Sequence, residues 1–407
     1  MKELKEYIYT HWDETLRYTP NDEGEMIGMP CRFTSPSIGS LHSALFYWDT
    51  YFTNEGLILS DKFDYAIGNT ENIAFMINKY GYMPNGSRTK FLGRSQPPFF
   101  SLMVKKIYEK SGDKTWLSRM YSTVETEWSF WERERQTSLG LNRYYHDLGD
   151  IESARLISES EVNKRMPFFT KRDRKSLYDL TAYYRVVCES GWDCTSRIEL
   201  DNVDYAWVDL NALLYGMESD MVYFSKELSL DGSLWEERMN KRRELMNKYL
   251  WNEEREIFCD YDFAKGKKCD FLTAAAYYPL FVGMASEEQA RAMADKLGLL
   301  ECERGFAATE NRDGIFGFQW DYPRGWAPLH YVIIKGLANY GYIKEAKKIA
   351  EKYASLVEST FSETGDVWEK YDVETGKPAA SEGGQHRMMG WSAGVYLWCR
   401  RFADGEI

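Results

Sequence analysis

The stretch Asp113–Gln136 reads DKTWLSRMYSTVETEWSFWERERQ, and the spacing of its apolar side chains predicts an amphipathic helix. Apolar residues that return every three or four positions lie on one face of a helix, where they can pack against a core. The residues on this face are Leu117, Met120, Tyr121, Val124, Trp128 and Trp131. The stretch therefore predicts a helix that packs against the rest of the protein through this face.

The same spacing recurs along the chain, in about a dozen segments. Residues 175–191 and 327–341 show it, and both segments end in glycine, which is common just after the last turn of a helix. The alternation typical of strands is scarce, and its best candidate is 257–262. We expect an all-α protein whose stacked helix pairs close into a ring or continue as an open solenoid.

The composition is that of a globular protein, with 407 residues of which 44% are hydrophobic and 28% charged. No linker rich in glycine, proline or serine divides the chain, so we expect a single domain over residues 1–407. The net charge of −12 disfavours a nucleic-acid-binding face, which would have to be basic. No run of about 18 apolar residues occurs, so we expect no membrane span.

The seven cysteines are odd in number and scattered, and no CxxC pair occurs among them. This pattern predicts neither a disulfide framework nor a zinc site, and we expect no metal and no cofactor. Reduced thiols are the simplest explanation, and the opening MKELKEYIYTHWDE lacks the apolar core of a signal peptide. We therefore predict a cytoplasmic protein, and the sequence leaves its oligomeric state open.

Aromatic residues are unusually frequent at 16%, with 14 Trp and 29 Tyr. Many of them must fill the core, but Trp and Tyr rings also stack on the apolar faces of sugars. Long loops in a compact protein are often functional, and the aromatic ones here include 80–100, 189–211 and 317–328. Such loops at one end of a helical scaffold would form a pocket lined by rings and polar groups.

Two carboxylates lie in settings that suit acid–base chemistry. Asp193 follows a predicted helix that ends at Gly191, and its neighbour Trp192 offers an apolar wall that favours a protonated acid. Glu382 lies in an open glycine loop, where a carboxylate stays ionised and can act as a base. Glycoside hydrolysis needs such a pair, although a chain with 63 acidic residues also offers pairs by chance.

Five motifs occur in the order found in one enzyme family over roughly residues 40–400. They are FYWDTYF (46–52), MPNGSRTKFLGRSQPP (83–98), SGWDCTSR (190–197) followed by VDLNALLY (208–215), QWDYPRGWAP (319–328), and WEKYD (368–372) followed by SEGG…GWSAGV (381–395). Together they resemble the trehalase family, glycoside hydrolase family 37, and more distantly family 63. Strings such as RSQPP and QWDYPRGWAP are too specific for chance agreement.

The resemblance implies an (α/α)6 barrel of about twelve helices, with its active site at the end that carries the loops. It implies inverting hydrolysis, with Asp193 as the general acid and Glu382, eight residues before Gly390, as the general base. We expect the substrate-binding residues to be Trp48, Asp49, Asn85, Arg94, Gln96, Glu152, Trp192, Gln319, Trp320, Asp321 and Trp326. In the alternative interpretation, residues 319–328 only support the rim of the barrel.

The chain departs from the family pattern at two motifs. Leu41, His42 and Ala44 stand where the first signature has arginine, phenylalanine and glutamate, and Asp150 replaces an arginine two residues before Glu152. We predict an inverting α-glycosidase that acts on a small α-linked sugar and resembles a trehalase, with selectivity altered at these positions. The alternatives are an α-glucosidase of the same fold acting on another α-linked disaccharide or glucosyl solute, and a sugar-binding protein without activity.

Overall fold

The computed structural model describes residues 2–39, 43–146, 177–312, 318–379 and 389–407. Most of the chain within these ranges is helical, which confirms the all-α prediction. None of the described helices is long and apolar enough to cross a lipid bilayer. The helices are α1 (Lys2–His11), α2 (Tyr47–Leu59), α3 (Phe63–Tyr80), α4 (Phe100–Ser111), α5 (Lys114–Arg135), α6 (Leu177–Ser190), α7 (Val208–Leu228), α8 (Ser233–Tyr249), α9 (Tyr278–Phe281), α10 (Glu287–Asp295), α11 (Ala327–Asn339), α12 (Ile343–Thr364) and α13 (Gly390–Asp404).

Six of the described helices form a closed inner ring. Helix α2 contacts α4, α4 contacts α7, α7 contacts α9, α9 contacts α11, α11 contacts α13, and α13 returns to α2. Helices α3, α5, α8 and α12 pack against members of this ring as a second layer. The helices therefore build an (α/α)6 barrel rather than an open solenoid.

Helix α5 shows how local sequence produces one of these elements. The Asp113 side chain accepts a hydrogen bond from the Trp116 backbone N–H at 3.0 Å, which caps the first turn. Leu117, Val124 and Trp131 on the predicted face are fully buried. The cap sets where the helix begins, and burial of the apolar face fixes its orientation against the core.

The end of helix α6 brings a predicted catalytic motif to the start of helix α2. Gly191 follows the helix with φ of 74°, a conformation that favours glycine. A Cβ atom at this position would lie 2.8 Å from Cε2 of Trp48, so the backbone approaches the indole ring closely. Glycine is therefore required here both for the turn and for the contact that positions Asp193.

The strands are short, and some of them connect loops at the barrel end. They are β1 (Leu16–Arg17), β2 (Phe33–Thr34), β3 (Tyr205–Ala206), β4 (Trp251–Asn252), β5 (Ile257–Phe258), β6 (Tyr261–Asp262), β7 (Lys267–Lys268), β8 (Arg324–Trp326), β9 (Lys370–Asp372) and β10 (Lys377–Pro378). The prediction of strand structure within 257–262 is confirmed by β5 and β6. Strand β8 pairs with β9, and its register sets Trp326 opposite Lys370.

Candidate active site

The site is built on five tryptophan rings, here called the tryptophan floor. Three of them, Trp48, Trp326 and Trp391, lie at or next to the starts of the inner helices α2, α11 and α13, and Trp192 and Trp320 lie in loops. The indoles of Trp320 and Trp326 are parallel with centroids 3.7 Å apart, and Trp192 stacks on Trp320 at 5.4 Å. Trp48 lies 5.6 Å from Trp320 and 5.8 Å from Trp391. Each of the five residues is at most 4% exposed, so the rings mainly cover one another and form a rigid, apolar base.

The loop with the predicted acid Asp193 is bound to the loop of the QWDYPRGWAP motif. The Gln319 side-chain amide donates to the Asp193 carbonyl at 2.8 Å. Asp321 Oδ1 accepts from the Thr195 hydroxyl at 3.0 Å and from the Ser196 N–H at 2.9 Å. Asp321 is fully buried, and burial raises the pKa of its carboxyl to about 6. Through these hydrogen bonds Asp321 supports the Asp193 loop.

A buried ion-pair network holds the other side of the Asp193 loop. Arg197 Nη2 lies 2.6 Å from Asp209 Oδ1, and Arg197 Nε lies 2.6 Å from Asp260 Oδ2. The guanidinium also lies 4.8 Å from the ring centroid of Trp192. Sequence reasoning did not select this arginine, although it ends the SGWDCTSR motif and so carried a signal.

The WEKYD motif brings a carboxylate and a buried cation to the tryptophan floor. Lys370 Nζ lies 2.8 Å from Glu369 Oε2, 3.1 Å from Gln319 Oε1 and 4.7 Å from the ring centroid of Trp326. The side chain of Lys370 is 1% exposed and that of Glu369 is 21% exposed. A buried ammonium favours the charged form of the adjacent carboxylate, and the carboxylate itself stays accessible.

Three carboxylates share this end of the barrel. Burial raises the pKa of Asp49 from 3.8 to about 7, and the negative charges of Glu369 and Asp193 add to this rise. The segments of Asp193 and Glu369 meet at Gln319. Its amide donates to the Asp193 carbonyl, and its oxygen accepts from Lys370, the ion-pair partner of Glu369. The arrangement offers carboxylates in unlike surroundings, as acid–base catalysis at a glycosidic bond requires.

The RSQPP loop packs beside these carboxylates. The Asn85 side chain donates to the Cys188 carbonyl at 3.1 Å, and Gln96 Oε1 accepts from the Trp48 N–H at 3.3 Å. Arg94 is half-buried with its guanidinium 5.5 Å from the Phe91 ring centroid. These contacts attach the loop to α6 and to the start of α2.

Several predicted site residues lie outside the described ranges. These are Glu382 and Glu152, together with the departures at Leu41, His42 and Asp150. Their proposed roles stay predictions. Of the remaining predicted residues, the structure brings Trp48, Asp49, Asn85, Arg94, Gln96, Trp192, Asp193, Gln319, Trp320, Asp321 and Trp326 to the same end of the barrel.

A closed (α/α)6 barrel with paired carboxylates at its loop-bearing end defines a class of glycoside hydrolase. The sequence profile of the family described as Trehalase matches residues 21–401. The periplasmic trehalases of Shigella flexneri and of Escherichia coli O1:K1 are each 33% identical over 97% of this chain and 73% of their own length. The chain belongs to the trehalase family.

Solved structures agree with this assignment. The neutral trehalase of Saccharomyces cerevisiae is 28% identical with a TM-score of 0.79, covering 98% of this chain and 80% of that chain. A GH63 mannosylglycerate hydrolase from Thermus thermophilus is 17% identical with a TM-score of 0.70, and the match covers 97% of this chain and 99% of that chain. The second likeness shows the shared fold alone.

The cytoplasmic location predicted from the sequence is wrong by this comparison, because the curated relatives are periplasmic trehalases. The prediction relied on scattered cysteines, and all seven are free thiols in the structure. A barrel of this size buries enough apolar surface to be stable without disulfides. Free cysteines therefore do not identify the compartment of such a protein.

Proposed function

We propose that the protein hydrolyses α,α-trehalose to two glucose molecules, with inversion at the carbon that is attacked. The observation that carries the proposal is that Gln319, next to Trp320 of the tryptophan floor, binds both the Asp193 loop and the Glu369–Lys370 ion pair. The names of the relatives supply the substrate, since the curated ones are trehalases. The rings and amide groups of the site suit a sugar, whose faces are apolar and whose hydroxyls need hydrogen-bond partners.

Asp193 is assigned the role of general acid. Its backbone is held by Gln319, and its neighbour Trp192 supplies an apolar wall. In this role the protonated carboxyl gives its proton to the glycosidic oxygen as the bond from C1 to that oxygen breaks. The departing glucose then leaves as a neutral alcohol.

Glu369 is assigned the role of general base. Lys370 favours its ionised form, and the carboxylate remains accessible to water. It accepts a proton from a water molecule whose oxygen forms the new bond to C1 on the face opposite the departing oxygen. Motif spacing predicts Glu382 for this role instead, and that prediction is tested beside Glu369 below.

Inversion sets the separation of the two carboxyl groups and the configuration of the products. A water molecule must fit between base and sugar, so we expect roughly 6.5–9.5 Å between the carboxyl groups in the substrate complex. The attacked ring becomes β-glucose, while the departing ring keeps its α configuration. Freshly released sugar should therefore contain both anomers in equal amounts.

Proton NMR of the first product from trehalose tests the proposal, provided that spectra are recorded before the anomers interconvert. Equal α and β signals support inversion, whereas α-glucose alone would mean retention and a nucleophilic carboxylate. A parallel panel of maltose, sucrose and glucosylglycerate tests the substrate. Turnover of one of these sugars without turnover of trehalose would reject trehalose hydrolysis and leave an α-glucosidase of the same fold.

A further inference from the structure

The turn that carries Asp193 contains a backbone conformation that its own residues do not favour. Cys194, directly after Asp193, has φ of 63°, in the left-handed region. A residue with a Cβ atom rarely adopts this conformation, and it persists in proteins where the surrounding contacts enforce it. We call residues 193–196 the acid turn. Contacts of the acid turn must therefore hold Cys194 in place.

The peptide group that follows Cys194 is held at both ends. The Cys194 carbonyl accepts a hydrogen bond from the Trp320 N–H at 3.3 Å. The Thr195 N–H of the same peptide group donates to the Tyr183 hydroxyl at 2.9 Å. Because the peptide group is planar, two hydrogen bonds at its opposite ends fix the orientation of the whole plane.

The peptide group that precedes Cys194 is held as well. Its carbonyl belongs to Asp193 and accepts from the Gln319 side-chain amide at 2.8 Å. The torsions φ and ψ of Cys194 are the rotations that relate these two peptide planes to each other. With both planes held from outside, the left-handed conformation persists although the Cβ atom of Cys194 disfavours it.

Tyr183 on α6 makes a second hydrogen bond to the acid turn. Its hydroxyl also donates to the Thr195 carbonyl, so a single oxygen atom pairs with both backbone groups of that residue. Tyr183 is fully buried, and burial raises its pKa well above 10, so the hydroxyl keeps its proton at neutral pH. The contact ties the acid turn to α6, whereas Gln319 and Trp320 tie it to the loop before β8.

We propose that Tyr183 is a positioning residue for the general acid Asp193. Through Thr195 it holds Cys194 in the left-handed conformation, which aims the Asp193 carboxyl at the glycosidic oxygen. The proposal rests on the role of Asp193 as general acid in the proposed function. If the acid turn relaxes to the conformations that a cysteine prefers, the carboxyl moves, and a misplacement of about 1 Å can slow such a step by about 10²-fold.

Two substrates that differ in leaving group test this role. The glucose that departs from trehalose needs a proton, whereas fluoride departs from α-glucosyl fluoride with less help from an acid. In Tyr183→Phe we expect kcat for trehalose to fall about tenfold, the factor by which a residue with a Cβ disfavours the left-handed conformation. The KM for trehalose should change little, and kcat for α-glucosyl fluoride should fall much less.

The ratio of the two kcat values does not depend on how much of the sample is folded, so it separates positioning of the acid from a general loss of structure. Tyr277→Phe is the matched control, since this fully buried hydroxyl also donates to a backbone carbonyl, that of Met293 on α10, at 3.0 Å. The control should leave the ratio unchanged. Equal losses on both substrates in Tyr183→Phe, or no loss on either, would overturn the proposal.

Asp193→Asn separates this proposal from the assignment of the acid itself. A loss concentrated on trehalose in Asp193→Asn, together with equal losses on both substrates in Tyr183→Phe, would overturn the role of Tyr183 alone. Equal losses on both substrates in Asp193→Asn would overturn the assignment of the acid, and the role of Tyr183 with it.

Substitutions of Cys194 test whether the effect depends on the left-handed conformation. Glycine adopts this conformation readily, so Cys194→Gly should restore much of the trehalose activity that Tyr183→Phe loses, whereas Cys194→Ala also removes the thiol but should not restore it. Equal activity of the two double variants would contradict the proposal. With Tyr183 intact, Cys194→Val should lower the ratio of the kcat values below that of Cys194→Gly, because a β-branched residue disfavours positive φ. Equal ratios in these two single variants would also overturn it.

Discussion

Glu369 carries an ion pair with a lysine that is itself almost fully buried, which distinguishes it as a candidate base. Replacing it by glutamine removes the proton acceptor, and replacing Asp193 by asparagine removes the transferable proton. We expect each variant to lower kcat by a factor on the order of 10² or more, while sugar binding persists.

Steady-state kinetics on trehalose, with a titration of glucose binding, would measure both effects. Glu382→Gln is the matched comparison, because motif spacing predicts that residue as the base. A near wild-type rate for Glu369→Gln together with a large loss in Glu382→Gln would move the base to Glu382.

Lys370 is the ion-pair partner of Glu369, so its loss should change the pH dependence of the reaction. In Lys370→Met the carboxylate loses its ammonium partner and binds a proton more readily. The acidic limb of the kcat/KM profile should therefore move to higher pH.

Lys377→Met is the control for that change, because Lys377 is exposed on the adjacent strand β10. A pH profile for Lys370→Met that overlays the wild-type profile, even with a lower maximum, would show that the lysine acts only on folding.

Three helices meet at a buried carboxyl group on α5. The Tyr47 hydroxyl at the start of α2 donates to Glu127, and the Phe100 N–H at the start of α4 donates to the Tyr47 oxygen. Burial raises the pKa of Glu127 from 4.5 to about 8. Between these two pH values the folded protein keeps a proton that the unfolded chain has released.

This difference predicts how the stability of these helices depends on pH. Below pH 4.5 Glu127 is protonated in both the folded and the unfolded state, and its contribution to the free energy of unfolding is fully present. As the pH rises towards about 8, this contribution is lost by at most about 1.4 kcal/mol per pH unit. Glu127→Gln is neutral at every pH. Its stability relative to the wild type should therefore be higher at pH 8 than at pH 5. Urea unfolding at both pH values measures the difference.

Glu125→Gln on the exposed face of the same helix is the matched control, and it should leave the pH dependence unchanged. Equal pH dependence in Glu127→Gln and the wild type would mean that Glu127 is ionised in the folded protein.

Closure of the ring depends on the contact between its last and first inner helices. Gly394 on α13 faces Gly56 on α2, and a Cβ atom at Gly394 would lie 2.2 Å from the Phe52 carbonyl oxygen. The added methyl has no room, because backbone rather than a flexible side chain stands in its way. Gly394→Ala should therefore force the two helices apart at the seam of the barrel.

We expect Gly394→Ala to lower the free energy of unfolding by about 1–3 kcal/mol or more, measured by urea denaturation. Gly298→Ala is the control, since a Cβ there would meet no atom within 4 Å. A Gly394→Ala variant as stable as the wild type would show that the seam is looser than the contacts indicate.

The single domain predicted for residues 1–407 stays a prediction.

The sequence alone was enough to predict the helices and to identify the residues in the family motifs. Periodicity in stretches such as Asp113–Gln136 is a local property, and so is a glycine that ends a helix, as at Gly191. The motifs likewise identified Asp193 and the QWDYPRGWAP loop, because they are strings of adjacent residues. The cysteine pattern was misleading about location, since it reports on disulfides and not on compartment.

Only the tertiary structure decided which of these residues meet. The contact between Gly56 and Gly394 closes the ring, and the pairing of β8 with β9 brings Lys370 to Gln319. Both contacts join residues that are far apart in the chain, and no local pattern contains them. The sequence could name Glu369 within its motif, but its ion pair with Lys370 and the link through Gln319 to the Asp193 loop depend on how the whole barrel packs.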